Sequence, residues 1–300
     1  KKKLRDHIYD TPDTYVGGEH LIEETIPVLN GTKISYIQGE YIPAIYKIFD
    51  EIIVNSRDAW IRGIMKGSDH PVTKMKVWIN KNTGEISVYN DGKGIDIVVH
   101  ETEVDSDGNK IMTPQLIFGE LLTSSNYEEK GKVVGGKNGY GAKLTNIFST
   151  RFRIETVDVV RSLQYIQEFE NNMKVVKKPK IKKFTGKPYT KITWITDFDR
   201  FGIQGFSETM LSLFERRVYD LSGMTDKTVS VYYNDEKLKI KSFENYMKLY
   251  LEDKQKCVYD SIHERWDVGL TLSNSDKFKQ VSFVNGVFTM KGGKHVDLIT

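Results

Sequence analysis

Three polar side chains in one stretch of the chain could together act on a water molecule and a metal ion. Glu51, Asn55 and Asp58 are spaced i, i+4 and i+7, so a helix would project them from one side, beside its apolar stripe. A carboxylate can act as a general base toward water, and an amide oxygen can ligate Mg²⁺ without adding charge. An ordinary solvent-facing helix surface is the competing interpretation and the more common one.

A second group combines polar residues with glycines directly after a predicted strand. Its members are Asn90, Asp91, Gly92, Lys93 and Gly94. Two glycines let the backbone pass close to a flat ligand, and a polar side chain before them can read a base edge through hydrogen bonds. A plain Asn-Asp-Gly turn is the simpler explanation when this stretch is taken in isolation.

A third group is rich in glycine and precedes a predicted helix. Between Lys132 and Ser149 four glycines fall within seven residues: Gly135, Gly136, Gly139 and Gly141. Glycines before a helix start let amide N–H groups turn toward an anion, and Lys143 adds a positive charge. The segment does not match G-x-x-x-x-G-K-[ST], and a glycine-rich surface loop remains the alternative. The hydroxyl and amide groups of Ser124, Ser125 and Asn126 could hold ribose or phosphate oxygens, or simply serve caps and loops.

Hydrophobic spacing indicates the elements that would carry these groups. Apolar residues recur at helical spacing between residues 41 and 63, and Pro43 stands near the first helical position. Two strands with alternating apolar residues flank residues 82–84, and the second strand runs into Asn90.

Three further segments complete this outline. A hairpin with a type I′ turn at Asn30-Gly31 is predicted within residues 21–39. Residues 151–199 are strand-rich. Residues 1–20 are polar and are predicted to form an arm or loop rather than part of the core.

Composition limits the class of protein. The chain has 300 residues, 39% of them hydrophobic and 28% charged, as in globular proteins with a real core. A formal net charge of +3 is too balanced to argue for nucleic acid by itself. The single cysteine, Cys257, excludes an internal disulfide framework, and no apolar run approaches the ~20 residues that cross a bilayer. The N-terminal residues contain no signal peptide, so we expect an intracellular protein without a membrane partner.

Lysine is concentrated in one part of the strand-rich region. Eight lysines lie between Lys174 and Lys191. Such a run could contact nucleic acid, but it is more often the solvated face of a hairpin, and the sequence favours that second interpretation.

The order and spacing of the three groups are more specific than any of them alone. They resemble the GHKL ATP-binding fold shared by gyrase, heat-shock chaperones, histidine kinases and MutL. Several stretches look like the ATPase region of a eukaryotic-type DNA topoisomerase II. They are TPDTYVGG, FDEIIVNSRDA, ISVYNDGKGI, PQLIFGELLTSSNY, GGKNGYGAKLTNIFSTRFRIET and VSFVNGVFTMKGGKHVD. The resemblance covers nearly the whole chain.

The resemblance implies a particular fold and domain arrangement. The fold would be a Bergerat-type α/β sandwich, an α+β structure whose mixed, mostly antiparallel sheet is backed by helices. An N-terminal arm would comprise residues 1–20, and the ATP-binding domain residues 21–250. Residues 251–300 would begin a transducer domain of the ribosomal protein S5-like type.

The resemblance also assigns roles to individual residues. Glu51 would be the general base, Asn55 would ligate Mg²⁺, and Asp58 would lie around the nucleotide and its waters. Asn90 would meet the adenine amino group, with Gly92 and Gly94 beside it and Thr190 behind the adenine pocket. Ribose and phosphate would contact Ser124, Ser125 and Asn126. The lid over the triphosphate would comprise Gly136, Lys137, Asn138, Gly139, Tyr140, Gly141, Ala142 and Lys143.

By the same resemblance the protein would be an ATP-hydrolysing type II topoisomerase. Its cofactors would be ATP and Mg²⁺. ATP would close the lid and favour a homodimer, the N-terminal gate, with residues 1–20 exchanged between the two copies. The full-length enzyme would couple hydrolysis to passage of double-stranded DNA. It would act in the nucleus if cellular, and in a virion or virus factory if viral.

Two alternatives stay open at the level of sequence. One is another GHKL ATPase, such as a MutL-type repair protein. The other is a module that binds nucleotide without turnover, because the family also uses a lysine in a Gln-Thr-Lys loop. These 300 residues contain no Gln-Thr-Lys, and we expect that loop beyond Thr300.

Overall fold

A computed structural model provides the structure of the protein. It describes residues 3–104, 108–121, 134–135, 139–263, 265–273 and 278–300. The helices within these ranges are α1 Leu4–Asp10, α2 Pro43–Met65, α3 Thr113–Gly119, α4 Gly141–Ile147, α5 Glu208–Gly223, α6 Phe243–Met247 and α7 Lys294–Asp297, with short 3₁₀ turns at Pro12–Thr14 and Lys248–Tyr250.

The strands form one large sheet and several two-stranded hairpins. They are β1 Ile22–Asn30, β2 Lys33–Tyr41, β3 Lys74–Asn80, β4 Glu85–Asn90, β5 Val99–Val104, β6 Lys110–Met112, β7 Ser149–Asp158, β8 Leu163–Glu170, β9 Val175–Val176, β10 Lys180–Lys183, β11 Thr190–Thr196, β12 Ser230–Tyr233, β13 Glu236–Lys237, β14 Cys257–His263, β15 Trp266–Thr271, β16 Phe283–Val284 and β17 Val287–Phe288.

The large sheet has nine strands in the order β10-β8-β7-β11-β4-β3-β12-β13, with β9 added beside β8. Neighbouring strands are antiparallel except for β3 and β12, which are parallel. This mixed, mostly antiparallel sheet with helices confirms the predicted α+β fold.

Helices pack on one face of the sheet because strand and helix present matching apolar faces. Phe152, Ile154 and Trp194 alternate with more polar residues along β7 and β11 and are buried. Phe49 of α2 lies against Phe214 of α5, with ring centroids 4.6 Å apart. Burying each such ring contributes roughly 1.5–3 kcal/mol, so these contacts fix α2 firmly over the sheet.

Helix α2 is the longest helix among the described residues and carries the predicted triad. Pro43 occupies its first position, as expected for a residue with a fixed φ and no amide hydrogen. The helix continues past Gly63 and ends at Met65. Gly67 then adopts a φ of +57°, a conformation that glycine reaches without strain.

The N-terminal residues differ from their prediction as an arm outside the core. They form α1 and a 3₁₀ turn, and both pack into the main hydrophobic cluster. Ile8 is 0% exposed and Val16 is 3% exposed. The polar composition of residues 1–20 hid these two anchors, since two apolar residues are enough to dock a short amphipathic segment.

The first hairpin is confirmed, but its turn type is not. Asn30 pairs with Lys33, so the two-residue turn is Gly31-Thr32. Only Gly31 of these two has a positive φ, +63°, which fits type II′ rather than type I′.

The C-terminal residues form small hairpins beside this assembly. β16 pairs with β17, and the turn between them contains Gly286. Arg217 of α5 donates to the Gly286 carbonyl oxygen at 2.8 Å, and Arg216 lies over the Phe288 ring. The boundary near residue 250 and the transducer assignment of residues 251–300 remain predictions. Across the described ranges, no helix has both the length and the apolar character needed to span a bilayer.

Candidate functional site

A cavity of about 1460 Å³ lies between α2, the start of α4 and strands β4 and β11. Ten of the residues predicted from the sequence line it: Glu51, Asn55, Asn90, Gly92, Gly94, Gly139, Tyr140, Gly141, Ala142 and Thr190. The structure therefore brings together groups separated by up to 139 positions in the chain. Ser124, Ser125, Asn126, Gly136, Lys137 and Asn138 lie outside the described residues.

One wall of the cavity is the polar side of α2. Glu51 forms an ion pair with Lys47 one turn earlier, and both residues line the cavity. The Glu51 carboxylate also lies against the backbone of Gly141, where a Cβ would clash with it. Burial lowers the pKa of Lys47, but the neighbouring Glu51 and Asp50 outweigh it, so that pKa is raised. The Lys47 ammonium therefore stays charged beside the Glu51 carboxylate, which is held at the first residue of α4.

Asn55 lies one turn further along the same side of α2. Its side chain is half-buried, lines the cavity and has no hydrogen-bond partner among the described residues. A neutral amide oxygen in this position can accept a hydrogen bond or coordinate a hard cation.

The opposite wall is built by strand register. Thr190 of β11 pairs with Asn90 of β4 on one side and with Thr156 of β7 on the other. The Thr156 and Thr190 hydroxyls are 2.9 Å apart, and Thr156 Oγ1 accepts the Ile95 amide at 3.0 Å. Asn90 is 7% exposed, and its side chain lines the cavity. Because all four positions belong to the sheet or bond directly to it, this wall is fixed by the backbone.

The two glycines after Asn90 allow a close chain path. Gly94 has a φ of +79°, and a Cβ there would clash with the backbone oxygen of Val157. At Gly92 a Cβ would come within 2.7 Å of a Val72 methyl group. Asp91 has a structural role, because its carboxylate accepts from the backbone amides of Thr73 and Lys74 at 2.8 and 2.7 Å. The wall therefore needs glycine at both positions.

Comparison with known proteins identifies the family to which the chain belongs. No family model matches the chain. The probable DNA topoisomerase 2 of Dictyostelium discoideum is 44% identical over 99% of the chain, and DNA topoisomerase 2 of Acanthamoeba polyphaga mimivirus is 40% identical over all of it. The chain spans only 19% and 24% of these two curated relatives.

Solved structures agree with the curated relatives. The ATPase region of Saccharomyces cerevisiae topoisomerase II matches with a TM-score of 0.90 at 39% identity, covering all of this chain and 77% of that one. The ATPase and transducer domains of the Balamuthia mandrillaris enzyme match at 37% identity with a TM-score of 0.90, covering 74% of that chain.

The chain belongs to the ATPase region of the DNA topoisomerase II family. The resemblance found in the sequence is thereby confirmed, and the MutL-type alternative is not supported.

Asp58 does not line the cavity of this topoisomerase II ATPase region. It is 0% exposed, and its Oδ1 accepts the backbone amide of Gly135 at 2.8 Å. Arg62 lies 3.9 Å from the other carboxylate oxygen. Asp58 lies on the same side of α2 as Glu51 but about two turns further along, where the glycine-rich segment passes over it. Its hydrogen bond with Gly135 is therefore made to the chain rather than into the cavity.

Lys143 also differs from its expected position near a triphosphate. It is 1% exposed and is not among the residues that line the cavity. Burial lowers its pKa to about 8, while Glu120 acts in the opposite direction. As the third residue of α4, Lys143 lies on the side of the helix that packs inward. The sequence pattern located the helix start correctly but not the direction of this side chain.

Several residues that line the cavity of this topoisomerase II ATPase region were not predicted from the sequence. Val88 and Ile192 form an apolar floor under Asn90 and Thr190, and strand alternation could have identified them. Tyr15 and Phe118 come from segments with no chemical motif. Only the folded chain shows that they reach the cavity.

A buried ion pair between Arg217 of α5 and Asp50 of α2 also connects α2 to the β16–β17 hairpin, called here the C-terminal hairpin. Arg217 donates to Asp50 at 2.5 Å and to the Gly286 carbonyl at 2.8 Å, and Asp50 directly precedes Glu51. The coulombic effect of Asp50 keeps the pKa of Arg217 raised despite the opposing effect of burial. Breaking such a pair is costly, because it leaves a buried charge uncompensated.

Proposed function

We propose that the cavity binds ATP with Mg²⁺ and that Glu51 activates the water which attacks the γ-phosphate. The observation that carries this proposal is the Glu51 carboxylate held against the first residue of α4, across the same cavity from Asn90. A general base and a base-reading amide then line one site.

The sheet wall suits adenine. The Asn90 side-chain oxygen accepts only a long hydrogen bond, 3.4 Å, from the Gly92 amide. It retains capacity to accept from the adenine N6 amine. Val88 and Ile192 supply an apolar surface for the flat base, and Thr190 with Thr156 fixes the rear of the pocket.

The donor set of the helix wall suits Mg²⁺. Among the described residues no group of three His, Cys, Asp or Glu side chains could hold a metal. Mg²⁺ is usually bound by one or two protein oxygens together with substrate phosphates and water. The unpartnered Asn55 amide oxygen meets that requirement. Bound there, the ion would supply positive charge to the phosphate oxygens.

The side chains of α2 then have distinct tasks. Glu51 accepts a proton from the attacking water and orients that water. Lys47 restricts the rotamers of the Glu51 carboxylate through their ion pair. Tyr140, Gly141 and Ala142 line the cavity where α4 begins, and the backbone amides of Gly141 and Ala142 are the donors that we assign to phosphate oxygens.

The remaining assignments follow from family membership. We propose that Ser124, Ser125 and Asn126 contact ribose and phosphate, and that Gly136, Lys137 and Asn138 belong to a lid over the triphosphate. In the whole protein, ATP would promote a homodimeric gate and couple hydrolysis to passage of double-stranded DNA. That protein would work in the nucleus, or in a virion or virus factory.

The experiment compares the chain with its Glu51→Gln variant, which keeps the shape of the side chain but removes the base. Mg²⁺–ATP binding is measured by calorimetry and hydrolysis by phosphate release, with and without DNA. We expect binding within about threefold of the wild type and turnover lowered about 10²–10⁴-fold. Undiminished turnover would contradict the assignment of Glu51 as the base. Failure of the wild-type chain to bind ATP would contradict the assignment of the cavity as an ATP site.

A second candidate function is nucleotide binding without turnover. The absence of Gln-Thr-Lys from these 300 residues favours it. The same experiment decides: a wild-type chain that binds Mg²⁺–ATP but releases no phosphate has this second function.

A further inference from the structure

The lysine-rich residues 174–191, called here the lysine segment, are a separate charged feature of the molecule. They contain eight lysines, and no Asp or Glu occurs between Asn171 and Thr196. The segment carries a formal +8 whereas the whole chain carries +3, so the other 282 residues together carry −5. Nearly balanced overall charge therefore conceals a strongly cationic region.

The structure places this charge along one edge of the large sheet. The segment contains β9 and the edge strand β10, both of which pair with β8. Seven of its lysines are exposed, and Lys191 is half-buried. Lys177 pairs with Glu170 at 3.0 Å, and Lys174 lies over the Tyr9 ring. Lys180 interacts electrostatically with Glu168 but forms no ion pair within 4.0 Å. The other four exposed lysines have neither a ring contact nor an acidic partner within 4.0 Å among the described residues: Lys178, Lys182, Lys183 and Lys187.

Protection of the sheet edge does not account for so many lysines. One or two charges on an edge strand are enough to prevent pairing with another chain. The opposite edge strand, β13, is only two residues long and carries one glutamate and one lysine. Like charges close together repel one another, so the lysine segment lowers the stability of the folded chain unless a polyanion neutralises its charge.

Nearby aromatic rings favour a duplex ligand over a single strand. Single-strand binding relies on exposed rings on which bases stack. The Tyr189 ring instead stacks on Tyr89 at 5.5 Å, and its hydroxyl accepts from Gln164 at 2.6 Å. Phe184 packs edge-on against Tyr189, and Gly186 lies so close to the Phe184 ring that a Cβ would come within 2.6 Å of it. These rings are occupied, so the segment offers charge rather than stacking surfaces.

We propose that the lysine segment is a binding surface for the phosphate backbone of double-stranded DNA. Alternate residues of a strand such as Lys180 and Lys182 share one face about 7 Å apart. That distance is about two 3.4 Å steps along one strand of a duplex. None of the eight lysines lines the nucleotide cavity, so this surface and the ATP site are independent.

The test uses a quadruple alanine variant of the four unpaired lysines, K178A/K182A/K183A/K187A. Its matched control removes the same charge from exposed lysines elsewhere: K227A/K237A/K239A/K241A. Binding of a fluorescent duplex of about 30 base pairs is followed by anisotropy between about 50 and 200 mM salt. We expect the quadruple variant to bind about 100-fold more weakly, with a salt slope reduced by about 3–4. The control should lose less than about threefold, and the corresponding four Lys→Arg changes should retain binding because they retain charge.

Three results would overturn the proposal. One is equal loss in the quadruple variant and its control, which would mean that only net charge matters. Another is tighter binding of a single strand than of the duplex. The third is competition by polyglutamate as effective as that by duplex, which would indicate an acidic protein partner. Unchanged Mg²⁺–ATP binding by the quadruple variant verifies that the fold is intact.

Discussion

The two walls of the nucleotide cavity are held in place by different means. The sheet wall is set by register, since Asn90, Thr190 and Thr156 are hydrogen-bonded neighbours on adjacent strands. The helix wall depends on side chains, through the Glu51–Lys47 ion pair and the close backbone of Gly141. The wall that would recognise adenine is therefore rigid before any ligand arrives. The wall that would perform chemistry depends in addition on one ion pair and one close side-chain contact, so substitutions there should alter it more easily.

The largest expected effect comes from Gly94→Ala in the sheet wall. The new Cβ clashes with the backbone oxygen of Val157 and also meets an unfavourable φ of +79°. We expect a loss of about 3 kcal/mol or more, seen as a fall in Tm of about 6–12 °C. Gly202→Ala is the matched control, since its φ is +64° but open space surrounds the added methyl group. Equal losses in both variants would show that backbone strain, rather than contact with Val157, sets the cost.

Asn90→Ala should affect the ligand more than the fold. Removing the amide would take away the acceptor that we propose for the adenine amine, so ATP affinity should fall about 10–100-fold. Asn90→Asp keeps an accepting oxygen and should stay within about fivefold of the wild type. Calorimetric titration with ATP measures both. If the two variants bind alike, the side chain does not read the base.

Asp58→Ala should loosen the helix wall where the glycine-rich segment joins it. The Gly135 amide would lose its acceptor, costing about 1–3 kcal/mol in the free energy of unfolding. Asp58→Asn retains an oxygen in the same place and should cost less. Denaturant unfolding gives the energies, and hydrogen exchange at Gly135 reports the local change. An unchanged exchange rate in the alanine variant would contradict the anchoring role.

Lys143→Met should give the smallest effect, visible only as pH dependence. The Lys143 pKa is about 8 in the folded chain against 10.5 for a free side chain. Between these values the unfolded chain binds more protons, so the free energy of unfolding rises with pH. The wild type should gain about 2–4 °C in Tm relative to the variant from pH 8 to 10. A constant difference between the two proteins across this range would argue that the lysine is not buried as described.

Local patterns predicted the elements of this fold well. Helix α2 and the strands that flank residues 82–84 follow directly from periodicity. Ser207 caps α5 and accepts from the Met210 amide at 3.2 Å, the arrangement that a serine directly before a helix favours. The gathering of Glu51, Asn55 and Asn90 around one cavity came from family resemblance, because spacing alone left each group ambiguous.

Contacts between distant segments explain what the sequence did not reveal. Asp58 bonds to Gly135, 77 positions later, and nothing near Asp58 in the chain indicates that partner. The inward direction of Lys143 depends on how α4 is rotated against its neighbours. Ile8 and Val16 anchor a segment whose composition is polar. In each case packing between elements, rather than local preference, decides where the side chain lies.

Asp50 and Glu51 are consecutive on α2, so their side chains leave the helix axis about 100° apart. Asp50 is held by Arg217, which also donates to Gly286 between β16 and β17, whereas the Glu51 carboxylate lies against Gly141. A rotation of α2 about its axis that reoriented Glu51 would therefore break the contact between Asp50 and Arg217. Displacing the C-terminal hairpin would disturb Arg217 first and, through Asp50, the part of α2 that carries Glu51. The two adjacent carboxylates therefore couple the buried Arg217–Asp50 ion pair to the orientation of the Glu51 side chain.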